Sequence, residues 1–305
     1  MSVLVARPDA EYSRTAFARF AAADATILDF GRATMWLSQL AYESKDADKV
    51  QRIGRGIWGL NPIRSFLQPA PASLPMSETR GVIAETGNST IICFSGTDPA
   101  VLPDWIADFR FPASADHVHE GFEQAVDAAW EGLGPIISGV TAAGGRVFFT
   151  GHSLGGALAA VAAERALREN RLRSAKVFTF GMPRVGTQDF VNAYAPLADT
   201  TYRFIHGNDI VPTVPPLASG FCHVGHYLTC LSADQFVIDN TLGNLGEINT
   251  ASDAAFNEFI DQIRAAISLP SLVNAGPDLM GRLQGLFPPA IADHLPSGYC
   301  QALPG

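Results

Sequence analysis

The sequence predicts an α/β fold in which a mostly parallel central sheet is flanked by helices. Near-continuous apolar strands, RVFFTG, AKVFTFG and TTYRFIHG, are separated by segments long enough for crossover helices. That succession is typical of a buried parallel sheet. The stretch VFFTGHSLGGALAA, residues 147–160, passes directly from one of these strands through a glycine-flanked serine into a run of small residues that favours a helix. The composition fits this class, because 47% of the residues are hydrophobic and 17% are charged.

The secondary structure before the strand RVFFTG is predicted from the spacing of apolar residues and from turn-forming residues. Residues 13–43 carry apolar residues at helical spacing, so we predict a mostly helical segment that Gly31 interrupts. Residues 59–77 contain Pro62, Pro69, Pro71 and Pro75 and are expected to form a surface loop. The segment GVIAETGNSTIICFSG predicts two strands joined by the tight-turn pair Gly87-Asn88.

Three further helices are predicted from apolar stripes at helical spacing. They cover residues 120–140, Leu154 to about Asn170, and residues 251–267. The chain shows no internal repeat and no linker composition, so residues 1–305 are expected to form a single domain.

Charge and hydropathy restrict the partners. The net charge of -9 and a pI near 5.2 disfavour nucleic acid and give no attraction toward anionic lipid, so a neutral substrate fits better. No apolar run is long enough for a transmembrane segment. The N-terminus lacks the basic region and long apolar core of a secretory signal. The expected location is therefore the cytoplasm or outside the cell by a non-standard route, unless a leader was removed, and the oligomeric state stays open.

Four cysteines are too few for a disulfide scaffold in a chain of this length. The segment CHVGHYLTC, which contains Cys222, His223, His226 and Cys230, superficially suggests zinc, but its spacing matches no standard finger and its alternation favours a strand. We expect no metal site, and a Cys222–Cys230 disulfide remains an alternative.

The segment GHSLG is a Gly-x-Ser-x-Gly pattern placed between a strand and a helix. At so sharp a turn the serine adopts strained dihedrals, and glycines two residues before and after it relieve crowding. Ser153 is therefore the predicted nucleophile, raised above the sheet at a helix N-terminus. The alternative is a glycine-rich turn that contains an incidental serine.

A serine nucleophile needs a histidine base and an acid that orients it, and in this arrangement they follow in the order acid, then histidine. Asp209 follows the strand TTYRFIHG, at the edge where such sites form, although a turn-forming Asn-Asp pair is the alternative. His294 lies in a proline-bounded loop near the C-terminus and is the predicted base. His152 is expected to point to the other side of the serine turn, and His206 to be structural.

An oxyanion hole and a lid are predicted from the segment after the strand IICFSG. Thr97 can offer its N–H and its hydroxyl, and Leu154, directly after the serine, can offer a second N–H. Residues 98–112 carry an apolar stripe, which predicts either a surface helix packed on the core or a short helical lid that opens on a lipid surface. We favour the lid, whose apolar residues are Leu102, Trp105, Ile106 and Phe109.

In combination these motifs resemble the class 3 lipase family, the α/β-hydrolases that include the triacylglycerol lipases of filamentous fungi. The matching segments are FSGTDPAVLPDWIADF, VHEGF, GHSLGG, FGMPRVG, HGNDIVPTVPP and DHLPSGY, and they span about residues 90–299. The resemblance implies an α/β-hydrolase fold, a Ser153-His294-Asp209 triad, Thr97 and Leu154 as oxyanion donors, and no cofactor.

The chain departs from the family between Asp209 and His294, where the separation predicts an insertion at about 232–290. The expected activity is hydrolysis of acylglycerol esters at a lipid–water interface through an acyl-enzyme. Phospholipase A1 activity and hydrolysis of soluble short-chain esters are the alternatives, and a non-catalytic binding protein of the same fold is a further one.

Overall fold

The computed structural model describes residues 5–69, 78–98, 117–238 and 289–304. Within these ranges seven strands form one sheet whose order follows the chain, from β1 to β7. The first three strands pair antiparallel, and β3 to β7 pair parallel, which confirms the mostly parallel sheet. The strands are β1 Ile63–Pro69, β2 Glu78–Thr86, β3 Ser89–Phe94, β4 Arg146–His152, β5 Lys176–Phe180, β6 Thr201–His206 and β7 His226–Cys230.

Helices cover both faces of this sheet. They are α1 Ile27–Ala41, α2 Ala47–Val50, α3 Glu120–Ala142, α4 Leu154–Arg168, α5 Gln188–Ala198, α6 Pro289–Ala292 and α7 Pro296–Ala302. A π-helical turn covers Gln51–Arg55, and 3-10 turns cover Asp9–Glu11, Val211–Thr213 and Leu217–Ser219. Because the strand order advances in one direction and parallel crossovers are right-handed, α3, α4 and α5 lie on one face. The opposite face packs against α1 and α7.

Helix α1 begins later than the sequence predicts and is not interrupted at Gly31. Residues 13–26 form turns rather than α-helix, and the helix starts with a capping box between Thr26 and Asp29. A Cβ at Gly31 would lie 2.7 Å from the Phe204 ring, so the glycine lets the helix approach the sheet closely. The predicted interruption is therefore wrong. The glycine is explained by packing against Phe204, which the local sequence does not reveal.

The surface loop predicted for residues 59–77 is wrong over Ile63–Pro69. This segment is β1, and it pairs antiparallel with β2 in register from Ile63↔Ala84 to Pro69↔Glu78. The strand lies at the edge of the sheet. Pro62 precedes the strand and Pro69 ends it, so neither proline removes a hydrogen-bond donor from its interior.

Several predicted features fall outside the described residues. The predicted lid, including Leu102, Trp105, Ile106 and Phe109, lies almost entirely in residues 99–116, and most of the predicted insertion lies in residues 239–288, with the 251–267 helix. Of the helices that the structure describes, none has the length and hydrophobicity that crossing a membrane requires.

Candidate active site

The strand-to-helix turn at Ser153 has the strained geometry that the sequence predicts. Ser153 follows the last residue of β4 and precedes the first residue of α4, with φ 58° and ψ -132°. A positive φ is costly for a residue with a Cβ, and such strain persists only where the surroundings hold it. The Ser153 N–H donates to the Phe180 carbonyl oxygen on the neighbouring β5 at 2.8 Å. This hydrogen bond fixes the turn above the edge of the sheet.

The glycines on either side of Ser153 allow β3, β4 and α4 to come together. A Cβ at Gly151 would lie 2.2 Å from the backbone of Gly155, and one at Gly155 would lie 2.3 Å from the Phe94 carbonyl oxygen. Neither contact can be relieved by rotating a side chain, because the opposing atoms belong to the backbone. Both glycines are therefore steric requirements of the turn.

Ser153, His294 and Asp209 form one continuous hydrogen-bonded chain. Ser153 Oγ lies 2.9 Å from His294 Nε2, and His294 Nδ1 lies 2.9 Å from each oxygen of the Asp209 carboxylate. With the proton on Nδ1, the histidine donates to the carboxylate and accepts from the serine hydroxyl. The three residues expose only 1%, 1% and 4% of their surface, so the hydrogen bonds lie in a site of low polarity.

Two groups besides the histidine hold the Asp209 carboxylate. The Val211 N–H donates to Oδ1 at 2.8 Å, and the Tyr299 hydroxyl donates to Oδ2 at 2.6 Å. Burial, followed by the negative charge of Asp209, raises the pKa of Tyr299, so this phenol stays protonated and remains a donor. With the His294 ring, three donors therefore hold this carboxylate in its orientation toward the imidazole.

Tyr299 and Gly181 also belong to the site, although neither was predicted from the sequence. Tyr299 lies in α7, five residues after His294 in the DHLPSGY segment, and that proximity was the only signal available. Gly181 follows β5 with φ 56°, and a Cβ there would lie 2.5 Å from Asp209 Oδ2. The glycine therefore makes room for the carboxylate and the imidazole.

His152 points to the face of the sheet opposite α4, as predicted, but this is the face on which the His294 segment lies. Its Nε2 donates to the His294 carbonyl oxygen at 2.7 Å, and its Nδ1 accepts from the Tyr42 hydroxyl at 2.7 Å. Burial, followed by the neighbouring His294, lowers the pKa of His152 well below its ordinary value, so this ring is neutral. A second histidine thus supports the backbone of His294.

Of the two predicted oxyanion donors, Leu154 directly follows Ser153, and Thr97 follows Gly96 in the loop after β3. Thr97 is 4% exposed, and its hydroxyl has no hydrogen-bond partner within the described ranges. Leu154 is the first residue of α4, where backbone N–H groups lack an acceptor within the helix. A Cβ at Gly96 would lie 2.6 Å from the His152 carbonyl oxygen, so the β3 loop passes directly against the end of β4.

The remaining histidine and cysteine candidates have no place in this chain of hydrogen bonds. His226 begins β7, whereas His223 precedes the strand and its Nε2 donates to the Pro212 carbonyl oxygen at 2.7 Å. Cys222 and Cys230 are both free thiols, so the alternative of a disulfide between them is wrong. Within the described parts of the chain, no three histidine, cysteine or carboxylate side chains come together as metal ligands would.

Comparison with known proteins gives a consistent set of relatives. Residues 91–219 match the profile of the family described as lipase (class 3). The chain is 35% identical to the secreted mono- and diacylglycerol lipase 1 of Fusarium solani over 39% of its length, and 32% identical to a lipase of Rhizomucor miehei over 48%. These matches span 38% and 44% of the two relatives, so the chain spans less than half of each.

The structural comparison extends further along the chain. The crystal structure of a lipase from Rhizopus microsporus var. chinensis superposes with a TM-score of 0.54 at 25% identity, over 67% of this chain and 75% of that one. The fold is thus the α/β-hydrolase fold of the fungal lipases, as predicted.

Proposed function

Because the chain belongs, through residues 91–219, to the class 3 lipase family, we propose that it is a serine carboxylester hydrolase acting on acylglycerols. The observation that carries the proposal is the hydrogen-bonded chain from Ser153 through His294 to Asp209, with 2.9 Å at each step. A non-catalytic binding protein of the same fold would not need a strained, buried serine hydroxyl within hydrogen-bond distance of an imidazole.

The proposed reaction has two steps. His294 Nε2 takes the proton of Ser153 as Oγ attacks the ester carbonyl carbon, and the imidazolium then gives this proton to the departing alcohol. A water molecule next gives a proton to Nε2 while its oxygen attacks the acyl carbonyl carbon, and the imidazolium returns this proton to Ser153 Oγ as the acyl–oxygen bond breaks and the carboxylic acid leaves. In both steps the Asp209 carboxylate accepts the hydrogen bond from His294 Nδ1 and stabilises the imidazolium, and the two steps use no cofactor.

Thr97 and Leu154 are the proposed oxyanion donors. The Leu154 N–H lies at the positive end of α4, which favours a negative charge that develops next to Ser153. The Thr97 hydroxyl is buried without a partner in the described structure, and an oxyanion would supply the acceptor that it lacks. Donors of this kind act mainly in the transition state.

The proposed substrate is a neutral acylglycerol presented at a lipid–water interface. The Fusarium relative is named for mono- and diacylglycerols, and a net charge of -9 disfavours binding to anionic lipid surfaces. We further propose that residues 98–112 form the lid, that Leu102, Trp105, Ile106 and Phe109 contact the lipid, and that the 232–290 insertion shapes the substrate pocket of a single domain.

The nucleophile can be tested without knowing the substrate. A fluorophosphonate should label the native protein and leave Ser153→Ala unlabelled. Ser219→Ala is a matched control, because the Ser219 hydroxyl donates to a turn carbonyl at 2.6 Å and should not affect labelling. An unlabelled native protein, or a Ser153→Ala variant labelled at the native rate, would overturn the proposal.

The substrate class needs a panel of esters. Triacylglycerols, monoacylglycerols, phospholipids and soluble short-chain esters should be compared below and above their solubility limits. The proposal expects the highest rate on acylglycerols, and a rise in rate once an emulsion forms. A preference for phospholipid would identify a phospholipase A1, whereas a rate that saturates below the solubility limit would identify a soluble esterase.

A further inference from the structure

A second histidine–aspartate contact joins the two chain segments that carry Asp209 and His294. In this second contact the histidine belongs to the Asp209 segment and the aspartate to the His294 segment. The first segment carries His206, the last residue of β6, and Asp209. The second carries Asp293 directly before His294. Asp209 pairs with His294, and His206 Nδ1 donates to the Asp293 carbonyl oxygen at 3.1 Å, with Asp293 Oδ1 at 3.8 Å. The two pairs therefore cross between the same two segments.

The Asp293 carboxylate binds the backbone next to Asp209 and the hydroxyl of Ser232. Its Oδ2 accepts from the Asn208 N–H at 2.7 Å and from the Ser232 hydroxyl at 2.7 Å. Asn208 directly precedes Asp209, and Asp293 directly precedes His294. A Cβ at Gly207 would lie 2.3 Å from Oδ2, so the chain has no side chain where this carboxylate approaches. One carboxylate thus connects the positions adjacent to the acid and the base.

The His206 ring, at the end of β6, contacts the backbone of both Asp293 and Ser232. Its Nε2 lies 3.1 Å from the Ser232 carbonyl oxygen, so both of its ring nitrogens face backbone carbonyl oxygens. His206 is 4% exposed and Asp293 is 7% exposed, so the contacts are shielded from water. The backbone N–H of His206 donates to the Tyr299 hydroxyl, the same group that donates to Asp209.

We propose that His206, Ser232 and Asp293 form a brace that sets the separation of Asp209 and His294. None of the three touches the reacting atoms, so they are positioning residues whose effect passes through the acid and the base. The inference rests on the proposed function, because a brace matters only if the triad reacts. It assigns the acid directly before His294 a task different from that of Asp209.

The expected effect is a loss of turnover without a loss of binding. Asp293→Ala removes the carboxylate oxygen that accepts both hydrogen bonds. A displacement of about 1 Å between catalytic groups costs about 10²-fold in rate. We therefore expect kcat on a soluble short-chain ester, and the rate of fluorophosphonate labelling, to fall about 10²-fold while KM stays unchanged. Asp293→Asn keeps one acceptor oxygen for the Asn208 N–H and should lose about tenfold.

A structural pair elsewhere in the same sheet provides the control. His226 Nε2 lies 3.6 Å from Asp199 Oδ1, at the opposite end of β6 and β7. Asp199→Ala therefore removes a histidine–aspartate contact of similar length away from the triad, and should leave kcat unchanged. His206→Gln should reduce kcat, and the double variant His206→Gln, Asp293→Ala should lose less than the product of the two single effects.

Proton NMR can report directly on the hydrogen bond between His294 and Asp209. The His294 Nδ1 proton shared with Asp209 should give a far-downfield proton resonance, which Asp293→Asn should shift and Asp199→Ala should not. If the native protein is not labelled, the proposed function fails. If the native protein is labelled but Asp293→Asn and His206→Gln react at the native rate with an unmoved resonance, the brace is overturned while the function stands. Asp293→Asn is nearly isosteric, so it decides the question even if Asp293→Ala does not fold.

Discussion

Replacing Gly181 by alanine should disable the site through one added methyl group. Gly181 has φ 56°, and the new Cβ would lie 2.5 Å from Asp209 Oδ2 and 3.0 Å from His294 Nδ1. Ordinary van der Waals contact begins at 3.4 Å, so the carboxylate oxygen has to move by about 0.9 Å. The backbone of Gly181 cannot easily retreat, because its N–H donates to the Phe204 carbonyl oxygen at 3.0 Å. The displacement therefore falls on the Asp209–His294 hydrogen bond.

The size of the effect follows from that displacement. Moving a catalytic group by about 1 Å costs about 10²-fold in rate, and losing the function of the orienting acid altogether costs about 10⁴-fold. We expect kcat of Gly181→Ala to lie between these limits. The left-handed backbone conformation adds a separate cost of about 1–2 kcal/mol in the free energy of unfolding, because alanine disfavours positive φ.

Gly87→Ala separates the steric effect from the backbone effect. Gly87 has φ 57°, nearly the same as Gly181, but nothing lies within 4 Å of its hypothetical Cβ. Both variants should lose similar stability in urea unfolding, while only Gly181→Ala should lose kcat on a soluble ester and fluorophosphonate reactivity. Native kcat in Gly181→Ala, or an equal loss of kcat in Gly181→Ala and Gly87→Ala, would refute the steric explanation.

Three further predictions concern the donors around the site and the buried histidines. Thr97→Val should lower kcat about 10²-fold with KM unchanged, whereas Thr97→Ser should stay near the native rate; equal kcat in both variants would exclude the hydroxyl as an oxyanion donor. Tyr299→Phe removes a donor to the Asp209 carboxylate, and a hydrogen bond of this kind contributes about 1.5–3 kcal/mol. The loss of transition-state stabilisation from ester kinetics and the loss in free energy of unfolding from urea titration should add up to this size. The pKa values of His152 and His223 are both lowered in the folded protein, chiefly by burial. Below the unfolded value of 6.5 the unfolded chain therefore binds more protons, and the free energy of unfolding should fall by up to about 1.4 kcal/mol per pH unit for each histidine. Urea unfolding at about pH 7.5 and about pH 5.5 measures this difference, and equal stability at the two values would contradict it.

The sequence predicts those parts of the site that depend on local geometry. The Ser153 turn follows from a strand, two glycines and a helix in immediate succession, and the structure shows the steric reason for both glycines. Chain order and strand edges then favour Asp209 and His294, which lie 85 residues apart and are hydrogen-bonded. Each of these inferences needs only the residue types within a short window and the general topology of a parallel sheet.

The features that the sequence did not predict depend on contacts between distant segments. Gly31 looks like a helix breaker until the Phe204 ring is placed against it, and the prolines around β1 suggest a loop until their positions at its ends are known. His152 was placed correctly on its face of the sheet, but only the course of the C-terminal segment shows that it contacts His294. Periodicity within a window carries no information about any of these contacts.

The sheet explains why three residues so far apart in the chain can form one site. Strands β3 to β7 are parallel, so the ends of β4, β5 and β6 all lie at the same edge. Ser153 follows β4, Gly181 follows β5 and Asp209 comes shortly after β6. Successive strands therefore position the nucleophile, the glycine that leaves room for the carboxylate and the imidazole, and the acid. His294 alone comes from outside the sheet, and it is the residue whose position needs the most support. It receives that support through its own backbone from His152, through its ring from Asp209, and, in our proposal, through the adjacent Asp293.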